Sequence, residues 1–368
     1  MPLRTAVVGA GVVSDIHMSA LDECPRTELV AVCDLDETRA RTAAQRYGIR
    51  AVFDVEELLA EGTLDWVHVC TPVQTHLDIA RLAIEAGVPV NIEKPVTETV
   101  AEAEELTRLS ENYGVPVSVT HQHRFDPAMR AAEARLRAGE LGELRAANLL
   151  YTGETPPDQA NRGEWAFDLV GGEFEEGLPH PLYILLGAAG YPEEGTIRAL
   201  TQLHGEYERP FGYDGTTVSY RSESGTLASV TCLGGAPPQK ILFLHGEDKS
   251  LNVDFVSQTV IEVDHDFNGS PQAKVRNNVS RAADRLTGTA KNVYQVGRER
   301  LSDDWDSTRR IDSHAYQIDA EARALQAGSE LPVPLAEGRW TIALMEAVRE
   351  ASAEGQPTPP DEHELAQD

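Results

Sequence analysis

The sequence predicts an α/β protein of two domains. An N-terminal Rossmann domain spans residues 1–122, and an α/β domain with a large open, mainly antiparallel sheet spans 123–356. Three observations carry this. A glycine turn, Gly9-Ala10-Gly11, joins the first apolar run to the first helical segment. Short apolar runs then alternate with helical periodicity up to about residue 122, the rhythm of βαβ units and a parallel sheet. Beyond that point longer segments alternate apolar with polar residues, as in an antiparallel sheet with one packed face. At 368 residues the chain also exceeds what one hydrophobic core supports.

Taken in order, residues 3–8 read as a strand, 14–23 as a helix and 28–34 as a strand ending on an acid. A helix over 36–47, a short strand over 51–53 and a helix over 54–61 follow. Residues 66–70 are a strand, 75–86 a helix, 88–93 a strand, 99–113 an amphipathic helix and 115–120 a strand. A helix over 126–137 opens the second domain. Its sheet is assigned to 144–151, 197–206, 215–222, 226–233, 240–245 and 251–263. Residues 273–310 are polar and helical in pattern, carry Arg276, Arg281, Arg285 and Arg298, and read as an insertion, with a surface helix pair and an interface both open. Helices over 313–327 and 337–354 precede an acidic, proline-rich tail over 357–368.

Sixty acidic residues against 32 basic ones give a net charge of −28, and only five of the basic residues are lysines. The excess acid is dispersed. Such a surface is expected of a protein adapted to high intracellular salt, where screening weakens self-repulsion. It argues against nucleic acid or anionic lipid as a partner, since both are polyanions. The apolar runs are too short to cross a bilayer, and the chain enters its first strand without a basic leader, so a cytoplasmic location is expected. The four cysteines are scattered without a CxxC pair, so no metal site is expected. His121 and His123 lie two apart on a strand-like segment; polar packing is favoured over a metal pair, because no third ligand stands nearby.

Gly9-Ala10-Gly11-Val12-Val13-Ser14 departs from G-x-G-x-x-G only at its third glycine, where Ser14 is still small. Gly9 permits the tight turn, Gly11 lets backbone N–H groups approach a pyrophosphate, and the helix N-terminus adds positive dipole. Asp34 closes the second strand 23 residues after Gly11. A carboxylate there accepts from ribose hydroxyls and repels a 2′-phosphate, so NAD is expected over NADP.

Thr71-Pro72-Val73-Gln74-Thr75-His76 follows a parallel strand at the edge where ligands bind, and Glu93-Lys94-Pro95 closes the next strand on the same edge. With Arg124-Phe125-Asp126-Pro127 and Gly171-Gly172…His180 in the same order, the chain resembles the Gfo/Idh/MocA oxidoreductase family, the glucose-fructose oxidoreductase and inositol dehydrogenase group. The resemblance runs nearly full length. It implies hydride transfer between a carbohydrate-like hydroxyl and NAD, and a homodimer or homotetramer formed through the second sheet. It further implies that Gly9, Ala10, Gly11, Val12, Val13, Asp34, Thr71, Pro72, His76, Glu93, Lys94 and Arg124 serve the cofactor. Lys94, His180 and Glu176 would be catalytic, and Lys94, His123, Tyr183 and His180 would face the substrate.

The chemistry suits these types. Oxidising a secondary alcohol needs a base for the hydroxyl proton, and His180 titrates near neutrality. Glu176, one helical turn earlier, is expected to orient its imidazole. Lys94 can stabilise a developing alkoxide. Three features depart from the family pattern: Glu176 stands for the commoner Asp, the glycine lies three residues before His180 rather than two, and Tyr183 stands where relatives place a second acid. Tyr183 either binds substrate or packs. Two alternatives stay open: a glycoside hydrolase using held NAD for transient redox chemistry, and a non-catalytic NAD-binding regulator.

Overall fold

The computed structural model describes residues 1–153, 164–209, 211–263, 270–301, 305 and 310–355. The tail expected over 357–368 lies outside them. The first domain places β1 (Leu3–Val8), β2 (Thr27–Cys33), β3 (Arg50–Val52), β4 (Trp66–Val69), β5 (Val90–Ile92) and β6 (Val117–Val119) in one sheet, ordered β3-β2-β1-β4-β5-β6. Every pair is parallel. Parallel strands buried on both faces need continuous apolar runs, and all four residues of β4 are buried. Helices α1 (Val12–Glu23), α2 (Glu37–Tyr47), α3 (Val55–Ala60), α4 (His76–Glu85) and α5 (Val100–Tyr113) connect them. Their ends are written locally. Asp36 caps α2 by accepting from the Thr38 and Arg39 N–H groups, and Gly48 ends it in the left-handed region. Thr99 and Glu102 form a capping box on α5. Strand order reverses between β1 and β4, which opens a crevice at the carboxyl ends of those strands.

The second sheet has seven strands, ordered β13-β12-β11-β7-β10-β9-β8. They are β7 (Leu144–Thr152), β8 (Arg198–Gln202), β9 (Gly215–Arg221), β10 (Leu227–Leu233), β11 (Gln239–Gly246), β12 (Ser250–Asp254) and β13 (Thr259–Val263). β7 and β10 run parallel and the other pairs antiparallel. Alternate residues such as Leu149, Val230 and Leu242 enter the core. Helices α6 (Pro127–Arg137), α8 (Pro179–Ala189) and α11 (Leu335–Gly355) pack against the sheet. The opposite face leaves Leu200 and Leu227 exposed. Helix α10 (Ser313–Ala327) returns to the first domain and packs on α1, where Ile318 and Ala322 join Met18 and Leu21.

Four expectations change. Residues 251–263 are not one strand but a hairpin, turned at Gln258 with φ of 51°. Residues 179–189, not assigned a helix from sequence, form α8. A short helix α7 (Glu173–Gly177) precedes it. The segment from 273 contains one long helix, α9 (Pro271–Leu301), rather than a pair within its described part. Gln122–Phe125 is a 3-10 turn, so His121 and His123 do not share a strand face.

Candidate active site

The glycine turn meets its geometric requirement. Gly9 has φ of 101°, and a Cβ there would lie 2.7 Å from the Cys70 carbonyl oxygen. Ser14 is buried and its hydroxyl donates to the Gly11 carbonyl. Asp34 accepts from the Ala10 N–H at 2.7 Å and the Asp36 N–H at 2.8 Å, so its carboxylate stands at the rim of the turn. The residues fit a dinucleotide. Among the described residues, a Cβ on Gly11 would meet nothing within 4 Å, and no side chain caps the N-terminus of α1. Val12 and Leu35 expose 89% of their surface along this edge. A cavity of about 420 Å³ opens beside the turn, lined by Gly11, Val12, Asp15, Thr38 and Arg39.

Lys94 and Glu176 meet across the two domains. The ammonium pairs with the Glu176 carboxylate, and also donates to the Glu176 backbone carbonyl at 3.1 Å. Both side chains are more than nine-tenths buried. An ammonium has three N–H groups, so one remains for a substrate oxygen. Glu176 was expected to orient His180. Glu176 is hydrogen-bonded to Lys94, and His180 Nδ1 lies 2.9 Å from the Tyr183 hydroxyl.

Tyr183, an expected substrate contact, has no exposed surface, and burial raises its pKa well above the usual value. Its ring stacks on His121 at 4.2 Å. Its hydroxyl donates to the Gln122 side-chain carbonyl at 3.1 Å and accepts from the His123 N–H at 3.3 Å. With Gln122 so oriented, the one phenolic proton is taken. His180 Nδ1 must then carry the donated proton, which makes Nε2 the proton-accepting nitrogen. The His123 ring stands edge-on to His180, centroids 5.0 Å apart, and its Nδ1 faces Asp126 at 3.0 Å. His121 is buried against Glu337 at 2.7 Å; burial lowers its pKa although Glu337 opposes that.

Two expected cofactor contacts, Arg124 and His76, also make contacts within the protein. Arg124 is ion-paired with Glu337 and Glu133, under Gly187 of α8. That pairing raises its pKa against the cost of burial and ties the 3-10 turn to α6 and α11. His76 is buried with Nε2 2.8 Å from the Thr71 carbonyl oxygen and Nδ1 3.0 Å from that of Pro95; burial lowers its pKa, and the neutral ring donates to one of the two. Pro72 is exposed and Thr71 half-buried at the crevice edge. The Lys94–Pro95 peptide is cis.

Glu93 faces inward, and sequence reasoning missed its partner. Its carboxylate lies 2.8 Å from His17 Nε2, and His17 Nδ1 lies 2.9 Å from His68 Nδ1. Burial would raise the Glu93 pKa, but the hydrogen bond and charge of His17, with Lys94, bring it down to about 2. Burial opposes charge on His17; Cys70 and Glu93 outweigh it and raise its pKa. Burial and His17 keep His68 neutral, and its Nε2 finds no hydrogen-bond partner among the described residues. His314, at the start of α10, stands beside His17. His17, Glu93 and His314 bring ligand atoms within 4.8 Å of one another, a set able to hold a metal ion that the sequence did not reveal. The hint available was the helical phase of His17, which turns it toward the sheet.

Comparison with known proteins agrees with this geometry. Residues 3–121 match the family described as "Oxidoreductase family, NAD-binding Rossmann fold", GFO_IDH_MocA. A D-apiose dehydrogenase of Paraburkholderia graminis is 28% identical over 272 residues, covering 71% of this chain and 65% of that protein. A D-glucoside 3-dehydrogenase of Escherichia coli is 34% identical over 145 residues, covering 39% and 41%. The chain thus spans less than two thirds of the length of these relatives. The WlbA dehydrogenase of Bordetella pertussis, solved with NADH and UDP-GlcNAcA, shares the fold with a TM-score of 0.74 at 19% identity, over 98% of this chain and 100% of that one. Among the described residues, no helix is long and apolar enough to cross a membrane.

Proposed function

We propose that this chain is a Gfo/Idh/MocA-family oxidoreductase, an NAD-dependent dehydrogenase acting on the hydroxyl of a sugar, polyol or sugar derivative. The Lys94–Glu176 pair carries the reading, because it fixes a cation from the Rossmann domain against the segment bearing His180. Bound NAD supplies the hydride acceptor. His180 Nε2 takes the hydroxyl proton, while Tyr183 holds its Nδ1–H. The remaining Lys94 N–H donates to the oxygen as it becomes an alkoxide. Glu176 keeps the ammonium in place and balances its charge. Asp34 at the rim of the turn favours NAD over NADP. His123, edge-on to His180, borders the substrate.

The exposed apolar residues on the free face of the second sheet favour a homodimer or homotetramer built there. The dispersed acid and scarce lysines favour a cytoplasm rich in salt. The test is NADH formation across a panel of sugars and polyols in molar KCl. Lys94→Ala is expected to lower kcat at least about a hundredfold and leave NAD affinity nearly unchanged. Full turnover in that variant would remove Lys94 from the chemistry.

A further inference from the structure

Helix α9 is amphipathic in the wrong sense for a helix resting on its own protein. A surface helix normally buries its apolar stripe and shows its charges. Here a polar face rests on β13. A Cβ on Gly288 would lie 3.0 Å from Thr259, and the Asn292 amide donates to the Ser257 and Gln258 carbonyls at 3.1 and 2.8 Å. Asn277, Asp284 and Gln295 on the same side are half-buried. Val275, Val279, Leu286 and Val293 are 63%, 62%, 72% and 68% exposed. At about 100° per residue they fall within about 40° of one another, on the side away from the sheet. The stripe is about 27 Å long at about 1.5 Å per residue.

Charge says what covers it. The chain as a whole carries −28, yet residues 271–298 hold six basic residues and one acid, Asp284. Arg276, Lys291 and Arg298 fall on one flank of the stripe. Lys274, Arg281 and Arg285 fall on the other. Tyr294, 65% exposed, stands on the first flank. Pairing α9 with its copy in a second chain would set six basic residues against six. An anionic bilayer surface offers both an apolar layer for the stripe and negative headgroups for the flanks. The overall acidity, read as opposing anionic lipid, does not describe this helix.

We propose that α9 is a membrane-docking helix. It lays the Val275–Val279–Leu286–Val293 stripe into the interface of a bilayer containing anionic lipid, and its flanking Lys and Arg side chains reach the headgroups. The enzyme then works as a peripheral protein.

The test is flotation of the full chain with vesicles of phosphatidylcholine plus phosphatidylglycerol, and with phosphatidylcholine alone, across a KCl series. The protein is expected to float with the anionic vesicles; the bound fraction falls as KCl shortens the Debye length from about 8 Å to about 3 Å but stays measurable in molar KCl, where the apolar stripe carries the binding. Val279→Glu/Leu286→Glu should lower the bound fraction at least about tenfold. Arg281→Glu/Arg285→Glu should weaken binding about fivefold or more per residue. Circular dichroism and NAD affinity should stay unchanged in both, since α9 lies outside the site. The proposal is overturned if the protein floats with neither vesicle, or if Val279→Glu/Leu286→Glu binds as before. It is also overturned if light scattering shows that pair breaking an oligomer while vesicles are ignored, which would make a second copy the occupant.

Discussion

Replacing Glu321 by Gln should stabilise the protein, and only above a particular pH. Glu321 lies on α10 with no exposed surface. Gln317 donates to one carboxylate oxygen at 2.8 Å; Ser118 and Asn91 donate to the other at 3.1 and 3.0 Å. Burial dominates these hydrogen bonds and raises its pKa from the ordinary 4.5 to about 7. A carboxyl whose folded pKa exceeds its unfolded one holds a proton in the native state that the unfolded chain has released. Its contribution is therefore fully present below about 4.5 and is lost as pH rises through about 7. At about 1.4 kcal/mol per unit, ionised Glu321 costs about 3 kcal/mol once both states are charged. Gln keeps the shape and cannot ionise. Its amide must find an acceptor in Ser118, which takes back about 1 kcal/mol. The variant should match or fall slightly below the parent near pH 5 and exceed it by about 2 kcal/mol near pH 8. Urea unfolding of both proteins at each pH measures the difference, in which all other titrating groups cancel. A difference that stays flat from acid to alkaline pH would refute the reasoning, because only titration of Glu321 makes it slope.

Tyr183→Phe removes one hydroxyl shared by Gln122, His123 and His180, and should cost about 1–3 kcal/mol of stability. It should also lower kcat and move the acidic limb of the pH–rate profile, which a merely packed tyrosine would not do. Gly9→Ala forces a methyl to within 2.7 Å of the Cys70 carbonyl at φ of 101°, so stability should fall by about 1–3 kcal/mol. NAD titration by calorimetry should show weaker binding in the same variant.

The first domain was readable because its signals are local. Gly9, the acid ending β2 and the apolar runs of β4 and β5 each sit where short-range chemistry puts them. Helix α8 escaped notice because Pro179 and Pro181 look like a loop, although a helix tolerates proline in its first turn. Leu182 to Ala189 then shows little periodicity because the helix is buried on nearly all sides. The hairpin within 251–263 escaped because Gln258, not glycine, takes the positive φ. In the site, Lys94 stood out through its position and the scarcity of other lysines. Its partner did not, since Glu176 arrives from 82 residues away by packing of the second domain. Net charge sums over the chain and so conceals one basic helix.

The adjacency of Glu93 and Lys94 has its own logic. Consecutive side chains at a strand end point to opposite sides. Glu93 turns into the first domain and meets His17; Lys94 turns out of it and meets Glu176. The result is a buried set of two carboxylates, an ammonium and an imidazolium, with no net charge. Removing any member leaves an uncompensated buried charge, which costs more than the pair itself contributes. Sheet edge, α1 and α7 are thus coupled through one dipeptide. The inward pair holds the strand end that carries Lys94, so under the proposed function Glu93→Gln should disturb Lys94 through its position.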